Sequence, residues 1–252
     1  MWISRMNLRG VSHRVMRVCV NLLWGICLLL IGWVLVSVFL FASFRVPSRS
    51  MEPTLTINDY ILVLKPVIGM RLFNIWASLK GEQVGIWRLP GFREIQRNDV
   101  LVFHNPYPKD ENKLEMHILK YNVKRCIGLP GDTLTIKTDF SDGPYYVPAK
   151  GDSVVLTQKN YCLYKKLIEW ETQSDLSYTG EGGILGGREI KGYRFRTNYY
   201  FMMGDNQNDS SDSRQWGVVP EDFIVGKVWL IWKSYNPFNG KFRKERFFKV
   251  IH

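Results

Sequence analysis

No aspartate or glutamate precedes Glu52, whereas Arg5, Arg9, Arg14, Arg17, Arg45 and Arg49 all do. More than half of the net charge of +11 therefore sits in the first fifth of the 252 residues, and the remainder is only mildly basic. No basic run interleaved with aromatics occurs until the tail from Lys241 to Lys249, so nucleic acid is not an expected partner. Cysteine and histidine are scarce. Cys19, Cys27, Cys126 and Cys162 form no C-x-x-C pair and no metal-ligand spacing with His13, His104, His117 or His252, so neither a structural metal nor a cofactor is expected. Cys19 and Cys27 fall in an apolar run, which leaves Cys126 and Cys162 open to two readings: a disulfide outside the membrane, or two buried free thiols. A phosphate cradle is also missing. Gly180 to Gly187 is glycine-rich, but no Gly-Lys-Ser/Thr follows and no Gly-x-Gly-x-x-Gly is present, so it reads as a flexible turn.

What the sequence does contain is a charge-free stretch of about 26 residues, Cys19 to Phe44, behind a basic segment, residues 1–18. About 20 apolar residues span a bilayer, and the apolar core of a cleavable signal peptide is only about 7 to 15 long, so residues 19–44 read as a retained transmembrane anchor. The arginines before it place the amino terminus in the cytoplasm and everything after Arg45 outside. With that orientation the chain is expected in a bacterial inner (cytoplasmic) membrane, single-pass, with its domain on the periplasmic or extracytoplasmic face.

Beyond Asn58 the pattern is mostly strand. Tyr60 to Leu64 and Val100 to Phe103 are short runs of branched and aromatic residues opened by Asn-Asp turns; Ile118 to Ile127, Thr133 to Lys137, Tyr199 to Met203 and Ile224 to Trp232 read likewise. Between the first two, Val67 to Arg97 mixes Phe73, Trp76, Trp87 and Phe92 with Arg71, Lys80, Arg88 and Arg93. Two readings stay open there: a membrane-water interface, or an excursion packing its rings on the core. Polar punctuation at Thr138 to Gly143 marks the start of an insert with one short amphipathic helix around Tyr161 to Trp170. The expected fold is mainly β: an amino-terminal transmembrane helix, then an antiparallel β-rich catalytic domain of residues 45–138 and 199–252, with a smaller module, 139–198, inserted in it.

Directly after the anchor comes Arg45-Val46-Pro47-Ser48-Arg49-Ser50-Met51-Glu52-Pro53-Thr54-Leu55. Pro47 and Pro53 fix φ and lack a donor, so this is a stiff extended loop that can hold a hydroxyl still. Serine needs such stillness, because it becomes a nucleophile only with a base within hydrogen-bond reach. Three further blocks follow in order: Asn98-Asp99-Val100-Leu101-Val102-Phe103, Lys124-Arg125-Cys126-Ile127-Gly128-Leu129-Pro130-Gly131-Asp132, and Gly204 to Arg214. Together with the Ser50 loop they resemble bacterial type I signal peptidases. That family has Ser-x-Met-x-Pro-Thr, then Gly-Asp-x-Val-x-Phe, then Lys-Arg-x-x-Gly-x-Pro-Gly-Asp, then Gly-Asp-Asn-x-x-x-Ser-x-Asp-Ser-Arg. Any one block is weak; the ordered set is specific.

The resemblance implies roles. Ser50 corresponds to the nucleophile and Lys124 to the general base of a Ser/Lys dyad without histidine. Ser48, with the backbone amide of Ser50, corresponds to the oxyanion hole, Ser210 to the serine that orients the lysine, and Asp212 with Arg214 to a supporting pair. Phe44, Val46, Met51, Leu55, Ile61 and Val123 fall at substrate-pocket positions, and all six suit a plain core as well. The implied activity is removal of signal peptides from secreted preproteins after Ala-x-Ala, with preproteins and the bilayer as partners of a monomeric enzyme. Lys124 and Lys120 share one strand face, so only the motif separates them. The chain also departs from the pattern. Arg49 stands where many members have Gly, Asn58 and Asn98 replace the Gly of Gly-Asp pairs, and Gln207-Asn208 replaces Arg-Asp.

Overall fold

A computed structural model describes residues 4–72, 76, 85–107, 113–116, 119–139 and 143–251. It divides into two units, residues 1–42 and 43–252. The first is dominated by one helix, α1 (Ser4–Phe39), within which Val15–Val36 is long and apolar enough to cross a membrane. Its apolar side chains there are exposed, as lipid-facing ones are.

The second unit is β-rich. In chain order its strands are β1 (Phe41–Arg45, which begins at the unit boundary), β2 (Asp59–Leu64), β3 (Arg71–Leu72), β4 (Trp87–Arg88), β5 (Val100–His104), β6 (Tyr121–Gly128), β7 (Thr133–Leu134) and β8 (Tyr145–Tyr146). There follow β9 (Ser153–Val155), β10 (Leu176–Tyr178), β11 (Gly183–Leu185), β12 (Arg188–Ile190), β13 (Gly192–Arg194), β14 (Tyr199–Met203), β15 (Val219–Pro220), β16 (Ile224–Ser234) and β17 (Lys249–Val250). The main sheet runs β1-β2-β16-β5-β6-β14-β15, with β17 also on β16. β16 is its spine, antiparallel to β2 on one side and to β5 on the other. Gly226 lies in it because a Cβ there would come within 2.7 Å of the Leu64 carbonyl.

The sheet curls. Phe44 of β1 and Tyr121 of β6 put their ring centroids 4.6 Å apart, although β2, β16 and β5 lie between them in the hydrogen-bonded order. Two apolar layers result from the period-two alternation of the strands. Leu101, Phe103, Cys126, Phe201, Met202 and Phe223 join one large cluster with the inserted module, while Val46, Met51, Leu55, Ile61, Val63, Val100 and Val102 are buried outside that cluster.

The module carries the helix Gln158–Thr172, capped by Thr157, whose side chain accepts from the Asn160 amide, and ended by left-handed Gln173. It is one turn longer than the apolar spacing indicates, because polar residues carry both ends. Glu171 fastens it to the domain: its carboxylate accepts from the hydroxyls of Tyr193 (2.6 Å) and Tyr199 (2.8 Å) and from the amides of Arg196 and Thr197.

Several expectations change. The strand over Thr133 to Lys137 shortens to two residues, and Gly180 to Gly187, expected to be only a turn, contains β11, paired with β10 and β12. Trp76, Trp87 and Phe92 are strongly exposed, so they do not pack on the core. Phe73 and Lys80 of that excursion, His117 and Ile118, and residues 140–142 of the punctuation before the module lie outside the described residues, as do residues 1–3 and His252. Cys126 is buried but Cys162 is exposed on the module helix, and both are free thiols.

Candidate active site

The Ser50 loop is held by its own short turns. Glu52 N donates to the Arg49 carbonyl and Leu55 N to that of Met51, each at 2.9 Å, with Met51 and Leu55 sunk in the core. Outside the loop, Asn206 N donates to the Ser50 carbonyl (3.1 Å) and Asn206 Nδ2 to that of Arg49 (3.4 Å). The Ser48 and Ser50 hydroxyls lie 3.3 Å apart. Arg49, between them, is exposed.

Lys124 lies inside β6 and is only 4% exposed. Lys120, its rival on sequence grounds, precedes the strand and is exposed. The Lys124 Nζ donates to Ser210 Oγ at 3.0 Å, and Ser210 Oγ donates to Asp212 Oδ2 at 2.8 Å. Asp212 is fully buried and accepts from Arg214 through both carboxylate oxygens, 2.9 Å each, and from Gly204 N at 3.0 Å. Burial opposes its charge, but these donors outweigh burial and hold its pKa below the usual carboxylate value. Burial lowers the Lys124 pKa to about 8, against the attraction of Asp212, which raises it. An amine so placed carries a lone pair near neutral pH, as a general base must.

Gly204 joins the two halves. A Cβ on it would sit 2.2 Å from Ser210 Oγ and 2.5 Å from the Ser50 carbonyl, so only glycine lets the hydroxyl bonded to Lys124 and the Ser50 loop approach this closely. Asn58 and Asn98 both have positive φ, 67° and 72°, the conformation their glycine counterparts would supply.

The sequence-derived residues thus gather in one place: Ser48 and Ser50 on the loop, and Lys124 tied through Ser210 to Asp212 and Arg214. Of the six pocket positions, Val46, Met51, Leu55 and Ile61 are buried, and Phe44 and Val123 keep some surface. Three features escaped the sequence reading. Arg125 grips Asp205 with two bonds of 2.8 Å and reaches Thr54 Oγ1 and the Asn98 carbonyl, which ties all four blocks together. The fully buried Asp59 binds Arg243 and Arg246 of the tail. Tyr121, two residues before Val123 and on its face of β6, rests on Phe44. The first two are ion pairs between residues far apart in the chain, and no local period announces them. Tyr121 carried a signal, its shared face with Val123. Among the described residues no three His, Cys, Asp or Glu side chains cluster as metal ligands.

A family model described as signal peptidase, peptidase S26, matches residues 18–233. The chain is 34% identical over 213 residues to a Signal peptidase I of Pseudomonas fluorescens, covering 78% of this chain and 66% of that protein. A Signal peptidase I of Haemophilus influenzae is 30% identical, with 86% and 71% covered, and one of Aquifex aeolicus 28% identical, with 82% and 81% covered. The chain spans about two thirds of the length of the Pseudomonas relatives it matches.

Proposed function

Because the chain belongs to the signal peptidase family, peptidase S26, we propose that it is a membrane-anchored serine endopeptidase that removes signal peptides from secreted preproteins, cutting after small residues of the Ala-x-Ala type with Ser50 and Lys124. The observation that carries this reading is Lys124: a nearly buried amine, hydrogen-bonded to Ser210, whose hydroxyl and the Ser50 carbonyl crowd one glycine Cα.

The chemistry follows from these positions. Neutral Lys124 takes the proton of Ser50 Oγ as that oxygen attacks the scissile carbonyl carbon. The carbonyl electrons move onto oxygen, where the Ser48 hydroxyl and the Ser50 amide donate to the oxyanion; such donors are worth about 3 to 4 kcal/mol of barrier. Collapse expels the new amino terminus of the mature protein, which takes the proton from Lys124, and leaves the signal peptide esterified on Ser50. Lys124 then deprotonates a water that attacks the ester, and Ser50 regains its proton. Ser210, Asp212 and Arg214 keep the amine in register, since small displacements of reacting groups are costly. α1 anchors the enzyme in the bilayer that also holds the substrate's apolar segment, which raises the effective concentration of that segment at the site.

The test uses the full chain in detergent or vesicles with a preprotein cut at Ala-x-Ala. Ser50→Ala and Lys124→Ala abolish cleavage, and Ser48→Ala reduces it in part. Cleavage by the Ser50→Ala protein would refute the assignment.

A further inference from the structure

The arginines from Arg45 to Arg125 are engaged, with one exception. Arg45, Arg71, Arg88, Arg93, Arg97 and Arg125 each donate to a side-chain or backbone oxygen. Arg49 is exposed, and among the described residues its guanidinium has no hydrogen-bond or ion-pair partner. Its place in the chain gives the exception weight, because Ser48 and Ser50 flank it and many members of the family carry glycine there.

The backbone beneath this cation is pinned. The Arg49 carbonyl accepts from Glu52 N at 2.9 Å and from Asn206 Nδ2 at 3.4 Å, so the side chain stands on a fixed stem one residue from Ser50. Lys124 draws little on its charge: Asp212, Arg214, Asp209 and Asp205 are the charges that act most on that amine. A substrate held at Ser50 is the remaining partner. An extended chain advances about 3.3 to 3.6 Å per residue, so the first two residues beyond the cut lie within about 7 Å of it. That is inside the Debye length of about 8 to 10 Å at ordinary ionic strength, and charge there is felt. Before the cut the substrate offers small residues and an apolar segment, whereas the mature protein beyond it can carry charge.

We propose that Arg49 is a specificity-determining residue that favours preproteins with an aspartate or glutamate at the first or second position after the cut and disfavours lysine or arginine there. This rests on the Ser50/Lys124 reading. An exposed ion pair is worth up to about fivefold in an equilibrium, and like charges oppose by a similar factor. Glutamate is therefore preferred to glutamine about threefold and to lysine about tenfold.

The experiment compares kcat/KM of the full chain in nonionic detergent for preprotein peptides that differ only at one of those two positions, with Glu, Gln or Lys. Wild type shows the two ratios at low salt and loses most of both at about 1 M salt, where the Debye length falls to about 3 Å. Arg49→Gln brings the three peptides to within about twofold of one another, and Arg49→Lys, which keeps the charge, keeps their order. Each ratio is taken within one protein, so a general loss of activity cancels, and the wild-type ratios test the proposal even if a variant fails to fold. Wild-type ratios near one at both positions, or ratios that survive in Arg49→Gln, overturn it. So does an Arg49→Gln protein that slows every peptide alike, whether in detergent, which would mean a role in the oxyanion hole, or only in anionic vesicles, which would mean a lipid headgroup. Ser50→Ala is run beside them. If it still cuts, the reading beneath fails and this one with it; if it is inactive while the ratios ignore charge, only the role of Arg49 fails.

Discussion

Asp59 and Arg246 form a two-point ion pair across 187 residues of chain, with Arg246 Nη2 2.6 Å from Oδ2 and Nε 3.0 Å from Oδ1. Asp59 is fully buried and also accepts from Ser234 Oγ at 2.6 Å and Arg243 at 3.2 Å. Arg246 and Arg243 reach on to the carbonyls of Thr54 and Ile57, so the tail grips the loop that begins at Ser50.

Removing one partner of a buried pair strands the other charge and costs about 3 to 5 kcal/mol. Arg246→Ala, with Arg243 still present, should lose about 3 kcal/mol at pH 7 in chemical denaturation, and a loss under about 1 kcal/mol contradicts the role. Burial would raise the Asp59 pKa, but Arg246 and Ser234 outweigh it and the pKa is lowered. A depressed carboxylate stabilises the fold above its unfolded pKa, near 3.9, and that stabilisation is lost as pH falls through the folded value. The gap between wild type and variant should therefore close below about pH 4.

Lys124 has the opposite relation to stability. Its pKa falls to about 8, chiefly through burial, so the fold disfavours the charged form. At pH 7 that costs the native state free energy, the cost fades as pH rises through about 8, and it is gone above the unfolded value near 10.4. Lys124→Met should be inactive yet more stable at pH 7 by about 1 to 3 kcal/mol, with the advantage gone at pH 10.5. Denaturation at the two pH values checks this, and a variant no more stable than wild type at pH 7 sinks it. The acid limb of wild-type kcat/KM should have its midpoint near 8, where Lys124 of the free protein loses its proton.

Gly204→Ala should damage the site directly. Its Cβ would fall 2.2 Å from Ser210 Oγ and 2.5 Å from the Ser50 carbonyl, and relief must separate the two. Activity should fall about a hundredfold or more for a stability loss of about 1 to 3 kcal/mol. Activity within threefold of wild type would mean that this contact does not set the register of the site.

Much of this was legible before any coordinates. The acid-free opening and the charge-free stretch within it pointed to α1, and branched residues with turn signals marked β2, β5, β14 and β16. The sequence reading ended the apolar run at Phe44, but the helix stops at Phe39 and the chain is a strand from Phe41, since apolarity alone does not separate a span from a buried strand. β11 was hidden because glycine carries no side-chain pattern. Arg125–Asp205, Asp59–Arg246 and Phe44–Tyr121 link residues that only the curled sheet brings together. Ser50 and Lys124 came from ordered blocks, and the structure adds their wiring: Ser210 to Lys124, Asn206 to the Ser50 loop.

β16 sits between β2 and β5, yet it follows both in the chain, at residues 224–234. Neither neighbour can reach the other until that strand arrives, and contacts so distant in sequence close slowly. Until residues 224–234 are in place, the loop that holds Ser50 therefore lacks the strand that joins β1 and β2, which flank it, to β5 and the Lys124 strand β6.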